Sequence, residues 1–215
     1  MDPLDTVTAT LALTMGVAWA SGINLYASIF MLGALGTTGN LVLPPDLQLL
    51  ANPVVMMAAG GMYCLEFIAD KVPGLDTGWD AIHTFIRIPA GALLAAGAVG
   101  EVNAPLALAA GLVGAGLSAG SHATKAGSRV LINASPEPFT NWVASISEDV
   151  AVIGGLWTAL YHPRLFLCLL FLLILLAIWL LPRIWQGVKQ VFFSLGRLFS
   201  GGPPRSPSSG PPPVP

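Results

Sequence analysis

Leu165 to Leu181 runs for seventeen residues without a charged or strongly polar side chain. With its flanks, such a run is long enough as a helix to cross a hydrocarbon core roughly 30 Å thick. The rest of the chain agrees with it. Of 215 residues, 54% are hydrophobic and 9% charged, and the mean hydropathy is +0.74. Soluble domains carry about 25% charged residues, so a soluble reading fails. In lipid every backbone N–H and C=O must be satisfied within the spanning structure. The expected fold class is therefore all-α: a polytopic transmembrane helix bundle. A secretory signal is not read at the N-terminus, where Asp2 and Asp5 stand and no Lys or Arg precedes Lys71. Cys64 and Cys168 have no CxxC spacing and predict neither a disulfide nor a thiolate metal site. The net charge of -2 carries no nucleic-acid signal.

About six spans are expected. Residues 6–35 form one apolar run interrupted by Ser-Gly-Ile-Asn at 21–24, either one tilted helix or two half-helices broken near Gly22. Residues 36–50 read as a loop and 51–69 as a second span. Residues 76–100 read as a third, kinked near Pro89 and Gly91. Residues 106–133, 139–161 and 164–182 complete the set, and residues 1–182 form the transmembrane domain. Residues 183–200 alternate apolar and polar faces and predict an amphipathic interfacial helix. Residues 201–215, rich in Pro, Ser and Gly, predict a disordered tail. Trp19, Trp157, Tyr161 and Trp185 read as interfacial anchors. Trp79 and Trp142 read as packing wedges or anchors.

Charge is rare in this chain and is gathered in stripes. His122, Lys125, Arg129 and Asn133 follow at spacings of three, four and four, one face of a helix. Beyond Pro136 and Pro138, Glu137, Asn141, Ser145 and Glu148 repeat the spacing, with Asp149 adjacent. Asp80, His83 and Arg87 form a third stripe, preceded by Asp76. Glu66, Asp70 and Lys71 close the second span. Asn24, with Ser21 and Ser28, marks the first. Ionisable residues at membrane depth turn toward protein or water and mark pathways by default. A solvated hairpin is the plainer reading, because Pro-Glu-Pro at 136–138 marks a loop. The expected substrate or ion pathway is Asn24, Glu66, Asp70, Lys71, Asp76, Asp80, His83, Arg87, Ser121, His122, Lys125, Arg129, Asn133, Glu137, Asn141, Ser145, Glu148 and Asp149.

With six spans, Lys71, Lys125, Arg129, Arg183, Lys189, Arg197 and Arg205 fall on one side and Arg164 alone on the other. The positive-inside rule then predicts both termini in the cytoplasm. A shift of 63 residues aligns Pro73 with Pro136, Thr77 with Thr140 and Trp79 with Trp142. It also aligns Ala81, Gly91 and Leu93 with Ala144, Gly154 and Leu156. An internal repeat of two hairpins is expected, and a three-plus-three inverted repeat competes with it.

The segments SGINLYAS, EFIADKVPGLDTGWDAIHTFIRIPAG, SHATKAGSR and PEPFTNWVASISEDV resemble a family of bacterial integral membrane proteins filed as a domain of unknown function. The resemblance covers roughly residues 10–160 and leaves the last span outside. It implies a bacterial inner-membrane protein and carries no catalytic residue across.

Three functions fit these residues. A transporter or channel for an ion or small polar solute, coupled to protons, would use the acids and histidines as relays. A structural or assembly protein would use the same charges only to lock helices together. An intramembrane enzyme acting on lipid-linked substrates would need Ser121 as nucleophile and His122 or Lys125 as base, yet no HExxH is present. A metal site from Glu66, Asp70, His83, His122 and Glu148 would be oxygen-rich and suit Mg²⁺ or Mn²⁺. No cofactor is predicted. The expected partners are the lipid bilayer and a small solute or ion, with a homo-oligomer among the options and nucleic acid excluded.

Overall fold

The computed structural model describes residues 2–100, 104–134 and 138–199. Six α-helices follow one another: α1 (Pro3–Thr37), α2 (Pro53–Ala69), α3 (Leu75–Ala98), α4 (Ala104–Asn133), α5 (Pro138–Tyr161) and α6 (Pro163–Phe199). Among the described residues no strand occurs. Glu101, Glu137 and the proline-rich tail lie outside the described residues. Five helices are long and apolar enough to span a membrane, and α2 makes a sixth if it counts with the short segment before it.

That segment corrects one expectation. The Pro44-Pro45 stretch is not a simple loop: Pro45–Ala51 is a 3-10 helix, bent by 67° from α2. α2 starts at Pro53, where Asn52 caps it by accepting from the Val54 N–H at 2.9 Å. Asp2 plays the same part for α1, accepting from the Leu4 N–H at 3.3 Å. Side-chain acceptors at these positions satisfy amides that the first turn leaves free.

α1 is broken inside, as two half-helices would require, but at Asn24 rather than Gly22. Asn24 alone has extended backbone angles (φ -144°, ψ 95°) within an otherwise helical run. α3 and α6, by contrast, run on through Pro89 and Pro182. The expected boundary at Pro182 therefore lies within one helix. A missing N–H costs one intrahelical bond and need not stop a helix packed on a neighbour. Here Ile184 is buried against α4 at Gly127, and Gly187 meets Leu131.

α1 is the central element. It packs against α3, α4 and α5, while α3 and α4 lie along each other and α6 covers α4. Small residues permit the approach. A Cβ at Gly22 would overlap the Ser118 carbonyl and the Ser121 hydroxyl. One at Gly114 would overlap the Ala95 methyl. One at Gly91 would come within 2.7 Å of both the Ser21 and Ser118 hydroxyls. Close backbone packing of this kind is how helices associate where lipid removes the hydrophobic drive.

The burial pattern inverts that of a soluble protein. Phe85, Leu93, Leu112 and Phe171 are exposed on the outside. The two largest fully buried side chains are Arg87 and Arg129, each 0% exposed. Leu13, Val17, Leu25, Leu32, Leu94, Val152 and Leu156 form an apolar core around α1, and Ala12, Ala159, Phe166 and Leu170 a smaller one. Trp19, expected as an interfacial anchor, is half-buried and packs against both cores, edge-on to Phe166. Trp79 stacks on His83, whereas Trp142, its counterpart in the expected repeat, is exposed.

Candidate functional site

The polar stripes converge. Glu66 and Asp70 from the end of α2, Asp76, Asp80 and Arg87 from α3, Lys125 and Arg129 from α4, and Asp149 from α5 are all buried. Spacings of three and four residues put each set on one helix face, and the packing turns those faces to one another.

Lys125 is the hub. Its ammonium lies 2.9 Å from Asp70 Oδ2 and 3.1 Å from Glu66 Oε1. It also donates to the Ile23 carbonyl at 3.1 Å. The break in α1 makes this bond available. In a regular helix that carbonyl would accept from the Ala27 N–H. Here the Ala27 N–H bonds to Asn24 Oδ1 at 2.9 Å instead. Asn24 Nδ2 then donates to Asp149 Oδ1 at 2.9 Å. One asparagine therefore opens the helix, frees a carbonyl for Lys125 and ties α1 to α5.

Arg87 reaches Glu66 Oε1 at 2.5 Å and Asp80 Oδ1 at 2.9 Å. It also donates to His122 Nδ1 at 3.1 Å. A guanidinium has only donors, so His122 Nδ1 carries no proton. His122 Nε2 then donates to the Thr84 hydroxyl at 2.7 Å, and that hydroxyl donates to the Asp80 carbonyl. The neutral imidazole is thereby built into the site. His83 is similarly fixed: Nδ1 donates to the Trp79 carbonyl at 2.8 Å, leaving Nε2 to accept from the Tyr26 hydroxyl at 3.0 Å.

Arg129 grips Glu148 with two bonds, Nη2 to Oε2 at 2.7 Å and Nε to Oε1 at 3.3 Å. Its Nη1 donates to the Asp70 and Asn141 carbonyls. Asn133 donates to Asp76 Oδ1 at 2.7 Å and accepts from Asn141. Lys71 sits at the rim, 3.3 Å from the Ser145 hydroxyl and over the Phe67 ring. Burial there draws its ammonium below the ordinary lysine value, against the pull of Asp149 and Asp70.

Eleven of the eighteen expected residues thus join one network of hydrogen bonds and ion pairs: Glu66, Asp70, Asp76, Asp80, Arg87, His122, Lys125, Arg129, Asn133, Asn141 and Glu148. Asn24 and Asp149 pair beside it, next to the Ile23 carbonyl that Lys125 holds, and Lys71 and Ser145 pair at the rim. His83 lies one contact out, on Tyr26. Ser121 stands apart, and Glu137 lies outside the described residues. The Ser121 hydroxyl donates to backbone carbonyls, including that of Trp19 at 2.9 Å, and Lys125 is held by carboxylates, so no nucleophile–base pair forms there. Among the described residues no group of three or more His, Cys, Asp or Glu is arranged for a metal ion. The expected metal set fails because His83 and His122 are committed to Tyr26, Thr84 and Arg87. Tyr26, Thr84 and Tyr63, which faces Asp149, were not legible as site residues. Tyr63 could have been, because it precedes Glu66 and Asp70 at spacings of three and four.

Charge does not balance. Among the described residues the buried cluster holds six carboxylates, Glu66, Asp70, Asp76, Asp80, Glu148 and Asp149, and three cations, Arg87, Lys125 and Arg129. Glu66 Oε2, Asp70 Oδ1 and Asp80 Oδ2 are buried with no hydrogen-bond donor. Glu148 is the most open member of the cluster's ion pairs, with 18% of its side chain exposed. Beside it, between α4 and α6 and backed by Trp19 and Ile23 of α1, lies a cavity of about 440 Å³.

No curated protein and no solved structure matches the chain. A family model does match, and it extends further than the sequence motifs indicated, through the apolar run of α6 to residue 183. With residues 11–183 matched, the chain belongs to the family of the domain of unknown function DUF4126.

Proposed function

We propose that this membrane-spanning protein is a transporter of the bacterial inner membrane, with both termini cytoplasmic. It moves an ion or small polar solute coupled to protons through the buried cluster. The observation that carries this reading is the surplus of acids, six carboxylates against three cations. A charge at membrane depth costs roughly 3 kcal/mol or more, so three unbalanced carboxylates would be a heavy load. Protons or a bound cation relieve it. Groups that take up and release protons inside a membrane are what coupling requires. The break at Asn24 adds a second feature of transporters, an interrupted helix at the site.

A static lock is the competing reading. It is favoured by Arg87 and Arg129, both fully buried, the first held by two carboxylates and the second by three. The two are separated with the full chain in sealed liposomes loaded with a pH-sensitive dye. A proton gradient is imposed and small anions and cations are screened, with Glu148→Gln alongside. Transport predicts solute-dependent proton flux that falls at least about ten-fold in a folded Glu148→Gln protein. Absence of flux across the panel, from protein shown to be inserted and folded, would leave the lock.

A further inference from the structure

The cavity beside Glu148 has walls of two kinds. Leu170, Ile174 and Ala177 of α6 make one wall apolar. The polar groups are the hydroxyls of Ser121, Thr124 and Ser128 and the charged ends of Lys125 and Glu148. Leu173, Leu176 and Ile178 at the edge are also exposed on the outer face, so the entrance lies on the bilayer side.

The protons on those polar groups are already committed. Ser121 donates to the Trp19 carbonyl, Thr124 to the Gly120 carbonyl and Ser128 to the Lys125 carbonyl. Each hydroxyl has one proton to give. Lys125 has three, and it spends them on Ile23, Glu66 and Asp70. Glu148 is acceptor-only when ionised, and Arg129 takes up just two of its lone-pair sites. The hydroxyls and ionised groups lining the cavity therefore offer acceptors and no free donor. Behind them stands a cluster rich in carboxylates.

We propose that this cavity binds a lipophilic amine: an alkyl body against α6 and a protonated ammonium head against Glu148 and the three hydroxyls. An ammonium supplies the donors that the three hydroxyls and Glu148 lack, and its charge is drawn to Glu148 and the carboxylate-rich cluster behind it. A carboxylate or phosphate head would face the Glu148 carboxylate and three hydroxyls whose protons are already given away, which disfavours fatty acids and phospholipids. The volume falls in the range of small-ligand sites, roughly 300–1,000 Å³. The site narrows the solute of the transport reading, and it rests on that reading only for the claim that the amine is moved.

The test is equilibrium binding of radiolabelled decylamine to the full chain in phosphatidylcholine nanodiscs, with empty nanodiscs as background. Decyltrimethylammonium, a cation without donors, and decanoate, an anion, are the competitors. The expected result is saturable binding of decylamine, with decyltrimethylammonium at least about ten-fold weaker, because the lost charged hydrogen bonds are worth that much, and decanoate inert. Ala177→Trp, which fills the cavity without touching the charged network, should abolish binding while the helical circular dichroism is retained. Leu173→Phe serves if Ala177→Trp does not fold. Binding no greater than to empty nanodiscs, equal competition by decanoate, or undiminished binding in the folded cavity-filling variant would each overturn the proposal. Proton flux from another solute without amine binding would sink this site and leave transport standing. Amine binding without flux would do the reverse.

Discussion

Replacing Lys125 by methionine and Asp80 by asparagine should have very unequal consequences for stability, although both remove one charge from the same cluster. Lys125→Met keeps the length and apolar stem of the side chain. It strips Glu66 and Asp70 of ammonium contacts at 3.1 and 2.9 Å, and the Ile23 carbonyl of its donor. The surplus of carboxylates then grows. Removing one partner of a buried ion pair costs about 3–5 kcal/mol. For a chain of this size, each kcal/mol shifts the melting temperature by about 2–4 °C, so a fall of roughly 6–20 °C is expected. Asp80→Asn instead lowers the surplus. Asp80 Oδ2 has no donor in the fold, and an asparagine Oδ1 can still accept from Arg87. A change within about 1 kcal/mol is expected. The double variant Lys125→Met/Asp70→Asn should recover a substantial part of the loss by restoring the charge difference. Thermal unfolding in a mild detergent, followed by helical circular dichroism, measures all three. Equal melting of Lys125→Met and Asp80→Asn would refute the argument that excess negative charge governs this cluster.

Other outcomes follow from single contacts. Asn24→Ala removes a charge-assisted bond to Asp149 and lets the Ala27 amide return to Ile23; a loss of about 1–3 kcal/mol is expected, and no change in melting would show that the break is not held by this side chain. Gly22→Val drives a side chain into the Ser118 carbonyl and Ser121 hydroxyl. It should cost about 1–3 kcal/mol or prevent folding, read as lost monodispersity in size-exclusion chromatography. Gly61→Ala, whose new Cβ meets nothing within 4 Å on α2, should raise stability by up to about 1 kcal/mol, measured on the same melting curve. Lys71→Ala, at the rim over Phe67 and near Ser145, should change stability by less than about 1 kcal/mol, and a larger loss would mean that the rim belongs to the closed cluster.

Membrane insertion, the helical class and the polar faces follow from local properties, and a single chain displays them. Seventeen apolar residues at 165–181 span lipid wherever they are placed. His122, Lys125 and Arg129 share a face because a helix turns every 3.6 residues. Which face meets which is not local. Asn24 and Asp149 are 125 positions apart, and Lys125 and Glu66 are 59 apart. Their pairing depends on how closely α1, α3 and α4 approach at Gly22, Gly91 and Ser118. The hydrogen-bond roles of His83 and His122 depend in turn on those pairings, because a ring nitrogen is donor or acceptor only by what faces it. The break at Asn24 shows the same division: asparagine permits extended backbone in many settings, but the Asp149 carboxylate and the Lys125 ammonium make it worthwhile here. The sequence by itself determined a helical membrane protein with charged stripes. The tertiary structure decided that those stripes close on one another around Lys125, with more acid than base and a lipid-facing cavity at Glu148.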